Sequence, residues 1–258
     1  MKQRNNPFDV KAASCALAAL LSASPLFATT YYLNFSESGG DGANSHAWTN
    51  LVHWSTTAGT KGDANHPSSF SSDDEFVVSP HSNGFTLRTI TDVSEWIGKC
   101  LRVGGEPHLN ASSLAVLRHQ IRGEDVSVTY RNDGLVLGDR GRYYAYYGKG
   151  KVCHIYGTIT VESTSANYSA QLYSANQENS SLHFHDAFKG NADARLKILN
   201  TTENFTVKID NPTAYYGTIT STNTVDNVNN NGSSGIGVGR FMPHPERLAL
   251  CLWSLERC

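Results

Sequence analysis

The chain has 258 residues, of which 17% are charged, and a net charge of −2. That balance gives no electrostatic reason to expect binding to nucleic acid or an acidic membrane surface. Twelve Tyr, ten Phe and four Trp argue against a disordered polar polymer.

The N-terminal segment 1–28 reads as a signal peptide. Lys2, Arg4 and Lys11 form a basic region, residues 12–23 are an apolar run, Pro25 breaks it, and Ala28 offers a small residue for cleavage before Thr29. The run is too short for a comfortable span of ~20 residues, so the protein is expected to be exported and not membrane-spanning. About 230 residues would remain, enough for one large β domain with its own core. Cys100, Cys153, Cys251 and Cys258 lie beyond the leader, without the CxxC spacing of a zinc site. In an exported chain they could form disulfides or stay reduced.

Residues 31–35 read as a first strand. Residues 36–65 are rich in Gly, Ser, Asn and Thr, and contain Trp48 and Trp54, which are expected to cap one end of a β stack. Short β-type runs follow at residues 76–79, 85–91, 97–103, 114–117, 126–130, 135–137 and 143–147. Others follow at 152–161, 170–173, 181–184, 196–199, 205–209 and 215–220, with an Asn-Pro turn at Asn211 and Pro212. Gly, Asn, Asp or Pro separates most of them, which predicts an all-β fold. The word YGTIT occurs at residues 156–160 and again at 216–220. Each copy reads as a corner followed by a strand, a unit that must stack on neighbours to bury its apolar side. The uneven spacing predicts a right-handed parallel β-helix, or solenoid, over residues 29–224, with a β-sandwich as the alternative. Residues 225–239 are Asn-, Gly- and Ser-rich and read as a linker. Residues 240–258 form an atypical tail in which Leu248, Cys251, Leu252 and Leu255 share one helical face.

Residues 211–222, NPTAYYGTITST, resemble the strand repeat of autotransporter-associated surface proteins, in which Asn, an aromatic and then G-T-x-T/V recur; residues 156–161 are a partial copy. The resemblance implies a passenger-type right-handed β-helix, exported and displayed at a bacterial surface.

Three groups of residues could carry chemistry. The run YYAYYGKGK places Tyr143, Tyr144, Tyr146 and Tyr147 beside Lys149 and Lys151, with Arg140 and Arg142 just upstream. Aromatic faces can stack on sugar rings while the cations neutralise uronic acids, so these residues are the candidate glycan site. Packing of the same tyrosines across strands is the competing account. Alternation on a strand puts His183 and His185 on one side, close enough to share a metal, with Asp186 at the strand end. A third ligand would have to come from another strand, and the sequence does not place His81, His119 or His154. Finally, residues 242–247, MPHPER, resemble a motif of class I glutamine amidotransferases in which His244 and Glu246 would assist a cysteine. Neither Cys100 nor Cys153 sits in the small-residue elbow that this chemistry needs.

Sequons at Asn110, Asn167, Asn179, Asn200, Asn204 and Asn231 follow from composition. The sequence therefore predicts a structural or adhesive β-solenoid without catalysis or a small-molecule cofactor, with extracellular glycans or cell-surface components as partners. A carbohydrate-active protein, lyase-like or glycan-binding, is the alternative.

Overall fold

Alternating apolar positions in short runs give strands that bury one side only, so each strand needs neighbours above, below and across the core. A computed structural model describes residues 28–33, 51–58, 66–79, 86–89, 94–105, 114–120, 124–146, 150–174, 181–200, 205–223 and 236–240. Residues 1–27 of the predicted signal peptide, Trp48, His81, the MPHPER word, Cys251 and Cys258 lie outside these residues.

Strand β1 (Thr30–Leu33) pairs antiparallel with β2 (Trp54–Ser55), which follows a one-turn 3-10 helix at Leu51–His53. Three strands then recur per turn. The first set is β3 (Glu75–Val78), β4 (Thr86–Thr89) and β5 (Glu95–Trp96), and the second is β6 (Cys100–Val103), β7 (Ala115–Gln120) and β8 (Val126–Tyr130). The third is β9 (Gly134–Leu137), β10 (Gly141–Tyr146) and β11 (Val152–Tyr156). Then come β12 (Ile159–Val161), β13 (Ala170–Ser174) and β14 (Ser181–Gly190), followed by β15 (Arg195–Asn200), β16 (Thr206–Tyr215) and β17 (Thr218–Asn223). Finally β18 (Ile236–Arg240) folds back antiparallel on β17.

Like strands stack in parallel from turn to turn. A first face is built from β1, β3, β6, β9 and β12, and a second from β4, β7, β10, β13, β15 and β17. A third holds β5, β8 and β11. Strands β14 and β16 begin on the third face and end on the first, so that Cys153 lies beside Leu182 while Ile159 lies beside Phe188. The chain is thus a parallel β-solenoid and not a sandwich. Among the described residues there is no α-helix, and no helix is long and apolar enough to cross a membrane.

Corresponding residues mark where each turn begins again. Phe76 lies beside Leu101, Leu101 beside Leu135, Leu135 beside Ile159 and Ile159 beside Phe188, so successive turns differ in length. These rows are the core. The second face contributes Leu87, Leu117, Tyr143, Leu172 and Ile198, and the third contributes Val128, Ile155, Phe184 and Ile209, all buried. Each such side chain contributes about 1.5–3 kcal/mol by leaving water. At the start of the stack Trp54 is fully buried, edge-on to Phe76 at 4.9 Å and to Trp96 at 5.9 Å, as expected of a residue that closes the end of the core.

Polar side chains hold the corners. The Asp139 carboxylate accepts hydrogen bonds from Ser163 Oγ at 2.6 Å and Thr164 N at 3.1 Å, tying one turn to the next. Asn132, at φ 56°, donates its amide to Gly98 O at 3.2 Å in the turn before it.

Several boundaries differ from those read in the sequence. The run at residues 152–161 is two strands on two faces, broken at Gly157. The Asn-Pro pair lies inside β16, where the strand passes from the third face to the first, and the register against β14 shifts nearby. Residues 236–239, assigned to the linker, belong to β18. Both YGTIT words do form a corner and a strand, but Gly157 leads onto the first face and Gly217 onto the second, so they are not equivalent rungs. Cys100 and Cys153 are buried free thiols, and burial pushes the pKa of both up to about 12.

Candidate functional site

The candidate site lies on the outside of the third face. In β11, Cys153 and Ile155 point into the core, so His154 points out; in β14, Leu182 and Phe184 point in, so His183 and His185 point out. In β16 the same alternation buries Val207 and Ile209 and turns Lys208 and Asp210 outward. Parallel pairing aligns His154 with His183 and His183 with Lys208. Three turns therefore place their polar residues side by side.

The three imidazoles are in close contact. His154 Nδ1 is 2.9 Å from His185 Nε2, and a nitrogen from each of the three rings lies within 4.8 Å of the others. Asp210 Oδ2 is 2.7 Å from His183 Nε2 and 3.1 Å from His185 Nδ1, while its Oδ1 is 3.1 Å from Lys208 Nζ. Tyr156 stacks on the His185 ring with centroids 4.4 Å apart and planes 9° apart. Partial burial pushes His183 below the usual histidine value, against the opposing pull of its Asp210 hydrogen bond. Burial pushes the Asp210 carboxyl up, but hydrogen bonds from Lys208 and His183 more than offset this and hold it below the ordinary carboxylate range.

Of the residues expected to bind metal, His183 and His185 lie side by side, with ring centroids 3.7 Å apart. Asp186 does not join them: its carboxylate accepts the Gly157 N–H at 2.7 Å and fixes the corner before β12. His154 and Asp210 stand in the cluster instead. His154 lies between two apolar neighbours, as an outward residue of a strand would, but its position one turn before His183 comes from the strand pairing.

The tyrosine run divides between core and surface. Tyr143 is fully buried in the row between Leu117 and Leu172, its hydroxyl 3.7 Å from Cys153 Sγ, and burial holds its pKa well above the usual range. It has no face to offer a sugar, which removes it from the candidate glycan site. Tyr144 points outward and meets Tyr173 of the next turn at 4.7 Å and 64°. The Arg118 guanidinium stands 5.5 Å above Tyr144, and Arg142 stands 4.2 Å above Tyr173. Two hydrogen bonds from Arg142 to Gln171 Oε1, at 2.8 and 2.6 Å, hold it there. Arg140 is buried, with its guanidinium 3.7 Å above the Tyr168 ring. Lys151 is half-buried at the corner into β11. The side chain of Tyr146, together with Tyr147 and Lys149, lies outside the described residues.

The carboxylates near this region are engaged elsewhere. Glu162 pairs with Arg102, and Asp139 accepts the hydrogen bonds of its corner. No protein-family model, curated protein or solved structure matches the chain.

Proposed function

We propose that the chain is an exported bacterial surface protein whose β-solenoid has a structural or adhesive role, with a glycan as the adhesive partner. Export rests on the order of basic, apolar and small residues in segment 1–28. The observation that carries the adhesive part is the outward row of Arg118, Tyr144, Tyr173 and Arg142 on the second face. Two half-buried aromatic rings, each accompanied by a guanidinium, offer apolar area to a sugar ring and positive charge to an acidic substituent. Strand pairing sets the spacing between these groups, so the row costs little entropy to present.

The test is a glycan array with the purified chain, including uronic-acid polymers, and with the Tyr144→Ala and Tyr173→Ala variants. Specific binding that falls at least about tenfold, a loss of about 1.4 kcal/mol, in either variant at unchanged thermal stability is the expected result. Binding insensitive to both changes would remove the second face as the adhesive surface. The appearance of unsaturated sugar ends in the same samples would favour a lyase over a passive adhesin.

A further inference from the structure

Side chains on the third face converge in a way that adhesion on the second face does not explain. We propose that His154, His183 and His185 bind a divalent transition-metal ion of the zinc class, with Asp210 orienting two of the rings or filling the fourth position. The inference is independent of the adhesive reading, because it uses different residues on a different face.

Ligand chemistry comes first. Three imidazole nitrogens are borderline donors that suit zinc, copper or nickel, whereas calcium and magnesium require oxygen ligands. The donors come from two adjacent turns joined by strand pairing; His154 and His183 are each flanked by two buried residues, and His185 follows the buried Phe184. Stacking of Tyr156 on His185 fixes the plane of that ring.

Geometry also fits. His185 Nδ1 faces Asp210 Oδ2 at 3.1 Å, so when that nitrogen carries the proton, the Nε2 lone pair is directed at His154 Nδ1, 2.9 Å away. A carboxylate that accepts the second N–H of a ligating histidine sets its tautomer and orientation. Two lone pairs at this distance repel unless a proton or a cation lies between them. A tetrahedral ion with Zn–N bonds of ~2.0–2.1 Å would hold its nitrogens about 3.3 Å apart, so His154 and His185 need to separate by only a few tenths of an ångström, with the His183 nitrogen within 4.8 Å of both. His183 contacts the same carboxylate oxygen through Nε2 at 2.7 Å. Lys208 lies 3.1 Å from the other oxygen, and its charge opposes an incoming cation. A site of moderate affinity follows.

The experiment is calorimetric titration of the metal-stripped full chain with Zn²⁺ at pH 7.5, together with Co²⁺ absorption as a measure of coordination. The expected result is one ion per chain with a Kd in the micromolar range. His154→Gln and His185→Gln should each weaken binding at least about tenfold, and His66→Gln, remote in sequence and outside the cluster, should leave it unchanged. No zinc binding by the parent chain, or equal binding by the His154→Gln/His185→Gln double variant, would overturn the proposal. Should a variant fail to fold, X-ray absorption on the Zn²⁺-loaded parent decides: three imidazoles on the ion support the site, and fewer overturn it.

Discussion

At Gly157 the backbone has φ +94°, and a Cβ built there would lie 1.9 Å from Tyr130 O. An L side chain would therefore meet both a disfavoured dihedral and a backbone atom that cannot move without disturbing the turn below. At Gly150 φ is +65°, but among the described residues nothing lies within 4 Å of the same built atom. Urea unfolding should thus show Gly157→Ala destabilised by at least about 2 kcal/mol and Gly150→Ala by about 1 kcal/mol. Equal effects would mean that the close approach at Gly157 costs nothing. His119 offers a second test on this scale. It is buried beside Tyr143, their rings nearly parallel at 6.4 Å, and burial lowers its pKa from 6.5 to about 4. Between these values the unfolded chain holds a proton that the folded chain does not. Stability is therefore complete above about pH 6.5 and declines as the pH falls towards 4, by up to about 3 kcal/mol. Urea midpoints at pH 7.5 and 4.5 should differ less in His119→Phe than in the parent chain; an identical pH dependence would show that His119 does not contribute. Strand phase is what sequence reading lacked for Tyr143 and Tyr144. Adjacent tyrosines must point to opposite sides of a strand, but the residues alone did not say which points inward until Leu117 and Leu172 fixed the buried row.

On the scale of the element, the short runs were legible because β-branched and aromatic residues alternate with polar ones between turn formers. Their ends were less so. Asn211 and Pro212 have strong turn chemistry, yet they lie within β16, where the chain bends from one face to another. Bends inside paired strands and corners between strands use the same residues, and only the pairing with β14 separates them. The stretch IGVGR alternates Ile236 and Val238 with two glycines, which weaken a strand and read as linker; pairing with β17 is what supplies its structure. That pairing covers an edge that would otherwise present unpaired N–H and C=O groups. Val238→Pro, opposite Thr220, restricts φ away from the extended range and is expected to weaken this pairing. Hydrogen exchange should then accelerate in β17 while β10 stays protected. Unchanged protection in β17 would mean that β18 does not shield it.

For the whole molecule, stacking was visible in the sequence and its period was not. A solenoid asks only that each turn place apolar residues in the same three rows; corner lengths are free to vary as long as the strands return to register. The unequal turns leave no fixed period to detect, and the most visible repeated word marks two different corners. The same freedom hid the histidine cluster. His183 and His185 could be paired from alternation within one strand, whereas His154 and Asp210 join them only once the turn length is known.

The stacking also sets how the molecule would respond to force. Because its strands run across the long axis, tension applied along that axis loads the hydrogen bonds of one rung before those of the next, as in a zipper opened tooth by tooth. Each released turn of roughly 30 residues would lengthen the chain by roughly 100 Å at ~3.4 Å per residue. A tether anchored at one end and holding a partner at the other would therefore yield in steps, dissipating a sudden pull while the remaining turns stay folded.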